Sequence, residues 1–159
     1  MLVISKVANI IELRNTTLRE RASRAHGGRS CEFVALVRGE EAAMLSYEDW
    51  SDKASAFVYE IFVLPLHRRQ GLGAALLSHA EQHAIQLNCR KIRLKPHALD
   101  SEPNLSRLKA WYTSLGYREV INEPEQMEKL LHGGVRPKSP CGISAKSKNL
   151  SGRVFMKLA

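Results

Sequence analysis

The sequence predicts a single α/β domain in which helices pack on the faces of a mixed sheet. Three observations carry that expectation. Short β-like runs open the chain and form a hairpin near its middle, helical spacing alternates with further strands after residue 70, and no internal repeat breaks the pattern. A length of 159 residues with 44% hydrophobic content suits one core with no obligatory disulfide or metal.

In chain order, Leu2 to Lys6 reads as a strand and about Ala8 to Arg24 as a helix with a moderate apolar stripe, stopped by His26-Gly27-Gly28. Cys31 to Val37 and Ala42 to Tyr47 are β-like around a tight turn at Arg38-Gly39-Glu40-Glu41. Ala54 to Leu64 is nearly all apolar apart from Glu60, as in a central strand covered on both faces. From Gly71 to Leu87, Leu72, Leu76, Ala80, Ala84 and Leu87 share one side of a helix that Asn88 ends. Arg90 to Lys95 alternates apolar and basic residues as a half-covered strand does, and Pro96 ends it. Leu105, Leu108, Trp111, Tyr112 and Leu115 recur at helical spacing up to Gly116, and Tyr117 to Ile121 follows as a strand.

Beyond Asn122 two readings compete. Acidic residues and a proline before apolar spacing, with Gly133-Gly134 behind, favour a short helix over Glu123 to His132, with Arg153 to Leu158 closing the sheet. In the alternative, Met127 to Leu131 is the last strand. Residues 132–152 read as a basic loop within the single domain 1–159.

Cys31, Cys89 and Cys141 are odd in number and widely spaced, which outlines neither a disulfide framework nor a zinc site. With no leader-like N-terminus and no apolar run of membrane-spanning length, the expectation is a soluble cytoplasmic protein that does not enter membranes. The formal charge is +8. Six basic and no acidic residues lie between His132 and Ala159, so a nucleic-acid partner would engage that segment; a solubilising loop is the plainer reading.

The most informative stretch runs from Val63 to Leu77, where an apolar strand passes through a basic, glycine-bearing turn into a helix. A helix start presents N–H groups without intrahelical partners and partial positive charge, and no Ser, Thr, Asp or Asn stands just before Gly71 to cap them. That is an anion site. The stretch has no Gly-Lys-Ser/Thr ending and no third glycine of a dinucleotide fingerprint.

Arg68-x-x-Gly71-x-Gly73 after a strand resembles the acyl-coenzyme-A loop of the GNAT superfamily of N-acetyltransferases. The segment Asn104 to Tyr117 is similar to the helix and strand that follow that loop in the family. The resemblance covers about Ala54 to Tyr117. It implies a mostly antiparallel central sheet with helices on both faces, and acetyl-CoA as cosubstrate without a metal. Diphosphate would lie over Arg68, Arg69, Gln70, Gly71, Leu72 and Gly73, and the pantetheine arm along the backbone of Phe62, Val63 and Leu64, with the Val63 N–H polarising the thioester. It also implies an acceptor that is a small-molecule or protein amine, and it leaves room for a homodimer.

Tyr112 stands where the family places a phenol that protonates the departing thiolate; alone it reads as a core aromatic. Glu60 stands where related enzymes frequently place a base, and desolvation among apolar neighbours would raise its pKa; a structural ion pair is the alternative. Asn104 lies one residue too far upstream for the family's coenzyme contact and reads also as a helix cap. His79 and His83 share a helix face but lack a third ligand, and His97 could reach the mouth of a site or simply lie on a surface loop.

Overall fold

Two residues set the first hairpin. Arg38 (φ 53°) and Gly39 (φ 85°) both take positive φ, as a two-residue turn with the twist of its flanking strands requires. They join β2 (Ser30–Val37) to β3 (Glu40–Trp50) in the computed structural model, which describes residues 1–97 and 105–132. The other strands are β1 (Leu2–Lys6), β4 (Ser55–Val63), β5 (Lys91–Leu94), β6 (Arg118–Val120) and β7 (Glu123–Leu130). The helices are α1 (Thr16–Ala25), α2 (Leu72–Gln86) and α3 (Leu105–Ser114).

The seven strands form one sheet in the order β1-β2-β3-β4-β5-β7-β6. Every neighbouring pair is antiparallel except β4 with β5. A parallel pair needs a crossover, and α2 supplies it. Side-chain alternation then divides the core by face. Phe33, Leu45, Tyr47, Val58 and Ile92 point to α2, where Leu76, Leu77, Ala80 and Ala84 meet them, with Tyr112 of α3 in the same cluster. Val34, Met44 and Phe62 point the other way, to Leu18 and Ala22 of α1. Helices therefore cover both faces.

Two expectations change. The helix over Ala8 to Arg24 is broken into a 3-10 turn at Ile10–Glu12 and α1, with Leu13 extended between them. Asparagine side chains cap both pieces: Asn9 accepts from the Ile11 N–H and Asn15 from the Leu18 N–H at 3.1 Å each. The Glu41 carboxylate takes the Arg14 and Asn15 amides at 2.9 and 2.7 Å, partners that a continuous helix would have used internally.

The second correction is at Glu123–Leu130, which is β7 and not a helix. Its acidic residues answer cations on β5: Glu128 meets Arg93 at 3.0 Å and Glu125 meets Lys95 at 2.7 Å, while Met127 is buried opposite Leu94. Cross-strand pairing overrides local spacing. The competing reading, with Met127 to Leu131 as the last strand, was closer. The basic loop after His132 and the strand expected at Arg153 to Leu158 lie outside the described residues.

Candidate active site

β4 and β5 begin side by side and then part. Their parallel register ends at Val58 with Leu94, while β4 continues to Val63 paired only with β3. The cause is local. Tyr47 pairs with Val58 and Ser46 with Glu60, so Tyr59 is an extra, bulged residue where the strands separate. Past the bulge, one edge of β4 has no strand beside it among the described residues.

The backbone groups on that edge follow from the ladder. The Leu64 N–H donates to the Ala42 carbonyl at 2.9 Å, so by antiparallel alternation Phe62 turns its backbone to β3, while the Leu64 carbonyl accepts from the His67 N–H at 2.9 Å in the turn that follows. Ile61 and Val63 face the open edge. The Val63 carbonyl confirms the direction, since it accepts from Arg68 Nε at 3.1 Å. Of Phe62, Val63 and Leu64, Val63 turns its backbone to the open edge, Phe62 turns to β3, and Leu64 divides its groups between β3 and the following turn. Phe62 contributes its ring instead, buried beneath the Arg21 guanidinium at 3.7 Å.

At the far end of the open edge, Pro65–His67 forms a 3-10 turn and the chain enters α2 through Arg69 (φ 64°) and Gly71 (φ 81°). Gly71 is the N-cap and offers no side-chain cap, so the first amides of α2 face outward. A cleft of about 650 Å³ opens here, lined among others by Val63, Arg68, Arg69, Gly71, Gly73 and Arg107. A Cβ at Gly73 would meet only Trp111 Cη2 at 3.7 Å, an ordinary contact, so packing does not demand glycine there. Amides, glycines and guanidiniums together fit a phosphate ester. Gln70 turns back, its Nε2 donating to the Leu66 carbonyl at 3.3 Å, and Leu72 is buried as the first anchor of α2.

At the near end, a small cleft is lined by Val58, Tyr59, Glu60, Ile61, Leu94, Lys95, His97 and Tyr112. Glu60 and Tyr112, apart in sequence, thus share one opening. Burial pushes the Tyr112 phenol up to about 12, and its ring packs on Trp111 and Tyr117. Glu60 does not sit in the apolar surroundings expected of it. Arg21 Nη1 donates to Oε1 at 2.6 Å, so the carboxylate is held by a guanidinium from α1. Nothing in the sequence sets Arg21 apart from the other arginines of α1; it reaches Glu60 only because α1 packs on this face of the sheet. His97 lines the same cleft and is exposed, while Asn104 lies outside the described residues.

His79 and His83 stand apart from this site. Both stack edge-on against Phe33, with centroids 4.7 and 5.3 Å away, and burial lowers the pKa of each. They are packing residues. Among the described residues no group of three His, Cys, Asp or Glu side chains is placed to hold a metal, and no helix is long and apolar enough to cross a membrane.

Comparison with known proteins identifies the fold. Residues 8–117 match the Acetyltransferase (GNAT) family. The ribosomal-protein-S18-alanine N-acetyltransferase of Escherichia coli superposes with TM-score 0.61 at 20% identity, over 87% of this chain and 99% of that one. PaiA N-acetyltransferase of Thermoplasma acidophilum, crystallised with coenzyme A, gives 0.60 at 14% identity, over 82% and 99%. The IAA acetyltransferase of Bacillus cereus gives 0.58 at 17%, over 82% and 100%. A search of curated proteins found no match. At these identities the solved structures show a shared fold, and the family match covers most of the chain: it belongs to the GNAT acetyltransferase family and is an acyltransferase.

Proposed function

We propose that the chain transfers an acetyl group from acetyl-CoA to a primary amine by direct attack within a ternary complex. The observation that carries this reading is the parting of β4 from β5 at Tyr59, which leaves an open strand edge with uncapped helix amides at one end and Glu60 with Tyr112 at the other. Acetyl-CoA, when bound, supplies a thioester as acyl donor and a thiolate as leaving group.

The amides opening α2, with Arg68 and Arg69 beside them, hold the diphosphate. The Val63 N–H offers a hydrogen bond to the thioester carbonyl, whose oxygen gains charge as the amine attacks. An amine arrives as an ammonium ion and must lose a proton before it can attack. Glu60 takes that proton; Arg21 occupies Oε1 and leaves Oε2 for it. Tyr112, its phenol raised by burial, gives its proton to the departing sulfur and regains one from the second N–H that the nitrogen sheds as the amide forms, which leaves one net proton on Glu60.

Neither motif contains a cysteine, in keeping with attack by the acceptor itself without an acyl-enzyme. The acceptor is a small-molecule or protein amine. The test is incubation with acetyl-CoA and a panel of spermidine, an N-terminal alanyl peptide and Nα-blocked lysine, with cell extract alongside, read by mass spectrometry. Acetylated product that Glu60→Gln forms far more slowly is expected. Coenzyme binding with no product from any amine would instead make the chain a sensor.

A further inference from the structure

On the face covered by α1, an apolar sheet carries a row of three polar residues. Glu32 on β2 lies directly opposite Ser46 on β3, and Ser46 lies directly opposite Glu60 on β4. Side chains so paired point the same way, with Cβ atoms about 4.5 to 5.5 Å apart. Around them the face is Leu18, Ala22, Val34, Met44 and Phe62. Glu32 and Ser46 are buried, at 4% and 0% exposure.

Two atoms of this row lack partners. Ser46 Oγ and Glu32 Oε1 are buried and make no hydrogen bond among the described residues. Buried polar atoms are normally satisfied, and water with two to four partners is the usual means where protein groups fall short. The row also has two ends. Glu60 stands at the candidate active site, while the other oxygen of Glu32 lies 3.2 Å from His26 Nδ1, whose side chain is 59% exposed.

We infer that Ser46 and Glu32, bridged by water, relay the proton taken by Glu60 across the sheet to His26 and solvent. The inference rests on the proposed role of Glu60 as base. Acetylating an ammonium ion releases one net proton per turnover, so a base that accepts it must be emptied before the next. Bound coenzyme would lie along the open edge of β4 and the acceptor would fill the cleft beside Glu60, which closes the direct way out.

The step balances without any other reactant. An N–H bond of the ammonium breaks as an O–H bond forms on Glu60. That proton passes through water to Ser46 Oγ while the serine's own proton moves on through water to Glu32 Oε1. The Glu32 carboxyl group turns and delivers it to His26 Nδ1, and the imidazole gives up its other N–H proton to solvent. Other polar and charged groups near the row include Arg21 from α1, engaged with Glu60, Glu48 two residues beyond Ser46 and engaged with Trp50 Nε1, Ser30, 3.5 Å from His26, Ser5 of β1 opposite Val34, and Arg19 of α1, whose buried Nε has no hydrogen-bond partner among the described residues.

The experiment measures kcat at low buffer concentration with the panel amine that turns over fastest. His26→Ala and Glu32→Gln are each expected to lose about tenfold in kcat, with coenzyme A affinity by calorimetry unchanged. Added imidazole should restore His26→Ala, because a small diffusing base can stand in for the terminal carrier, and should leave Glu32→Gln slow. A His26→Ala enzyme as fast as wild type, or one that imidazole does not rescue, overturns the relay while leaving the acetyltransferase reading intact. Full activity in Glu60→Gln would remove the base and with it the start of the relay; no turnover of any amine would overturn the function itself.

Discussion

Burial of Tyr112 acts directly on the chemistry of its phenol. Removal from water pushes its phenol up to about 12, which keeps the donor loaded at neutral pH. The same surroundings penalise a thiolate formed beside it, so the two proton affinities rise together and transfer stays feasible. Tyr112→Phe keeps the ring against Trp111 and Tyr117 and should lower kcat about a hundredfold with little change in coenzyme affinity, read from steady-state rates and calorimetry. The histidines of α2 move in the opposite sense. Burial lowers both from 6.5, so the folded chain binds fewer protons than the unfolded one in acid and stability falls as pH drops through about 6.5. His79→Leu should flatten that acid limb in urea melts; an unchanged slope would show that His79 is not its source.

At the scale of elements, the loop entering α2 was legible because its chemistry is local. A strand, two arginines, two glycines and a missing cap occupy adjacent positions, and each acts on its neighbours. Gly73 offers a clean separation of fold from function. It lies inside α2 without positive φ, and a Cβ there has room beside Trp111. Gly73→Ala should therefore raise the melting temperature by about 2 to 4 °C, reflecting up to about 1 kcal/mol of helix propensity. It should also weaken coenzyme A about tenfold by obstructing the phosphates. Equal affinity in the two proteins would place the diphosphate elsewhere. β7 was legible only as the alternative strand at Met127 to Leu131, for the converse reason, since Glu123, Glu125 and Glu128 acquire their partners from Arg93 and Lys95 about 30 residues earlier. The bulge at Tyr59 is likewise invisible in β4 alone, because it exists only in register with β3.

Over the whole molecule, charge is spread unevenly along the chain. The seven strands and three helices of the described residues lie between Leu2 and Leu130. The charge does not. Arg136, Lys138, Lys146, Lys148, Arg153 and Lys157 supply six positive charges with no acidic residue beyond His132, so a chain ending there would fall from +8 to +2. Steering depends on that total field, whereas the melting transition depends on the packed sheet. A chain truncated after His132 keeps every strand and core cluster of the described residues, so it should still melt in one cooperative transition, read by calorimetry. Its association rate with coenzyme A at low salt should fall severalfold and should vary less steeply with ionic strength, because fewer charges remain to be screened. Stopped-flow binding at two salt concentrations reads both quantities. Identical salt slopes for the two chains would assign the steering to Arg68, Arg69 and Arg107 around the cleft, and leave the basic segment for a partner other than the coenzyme.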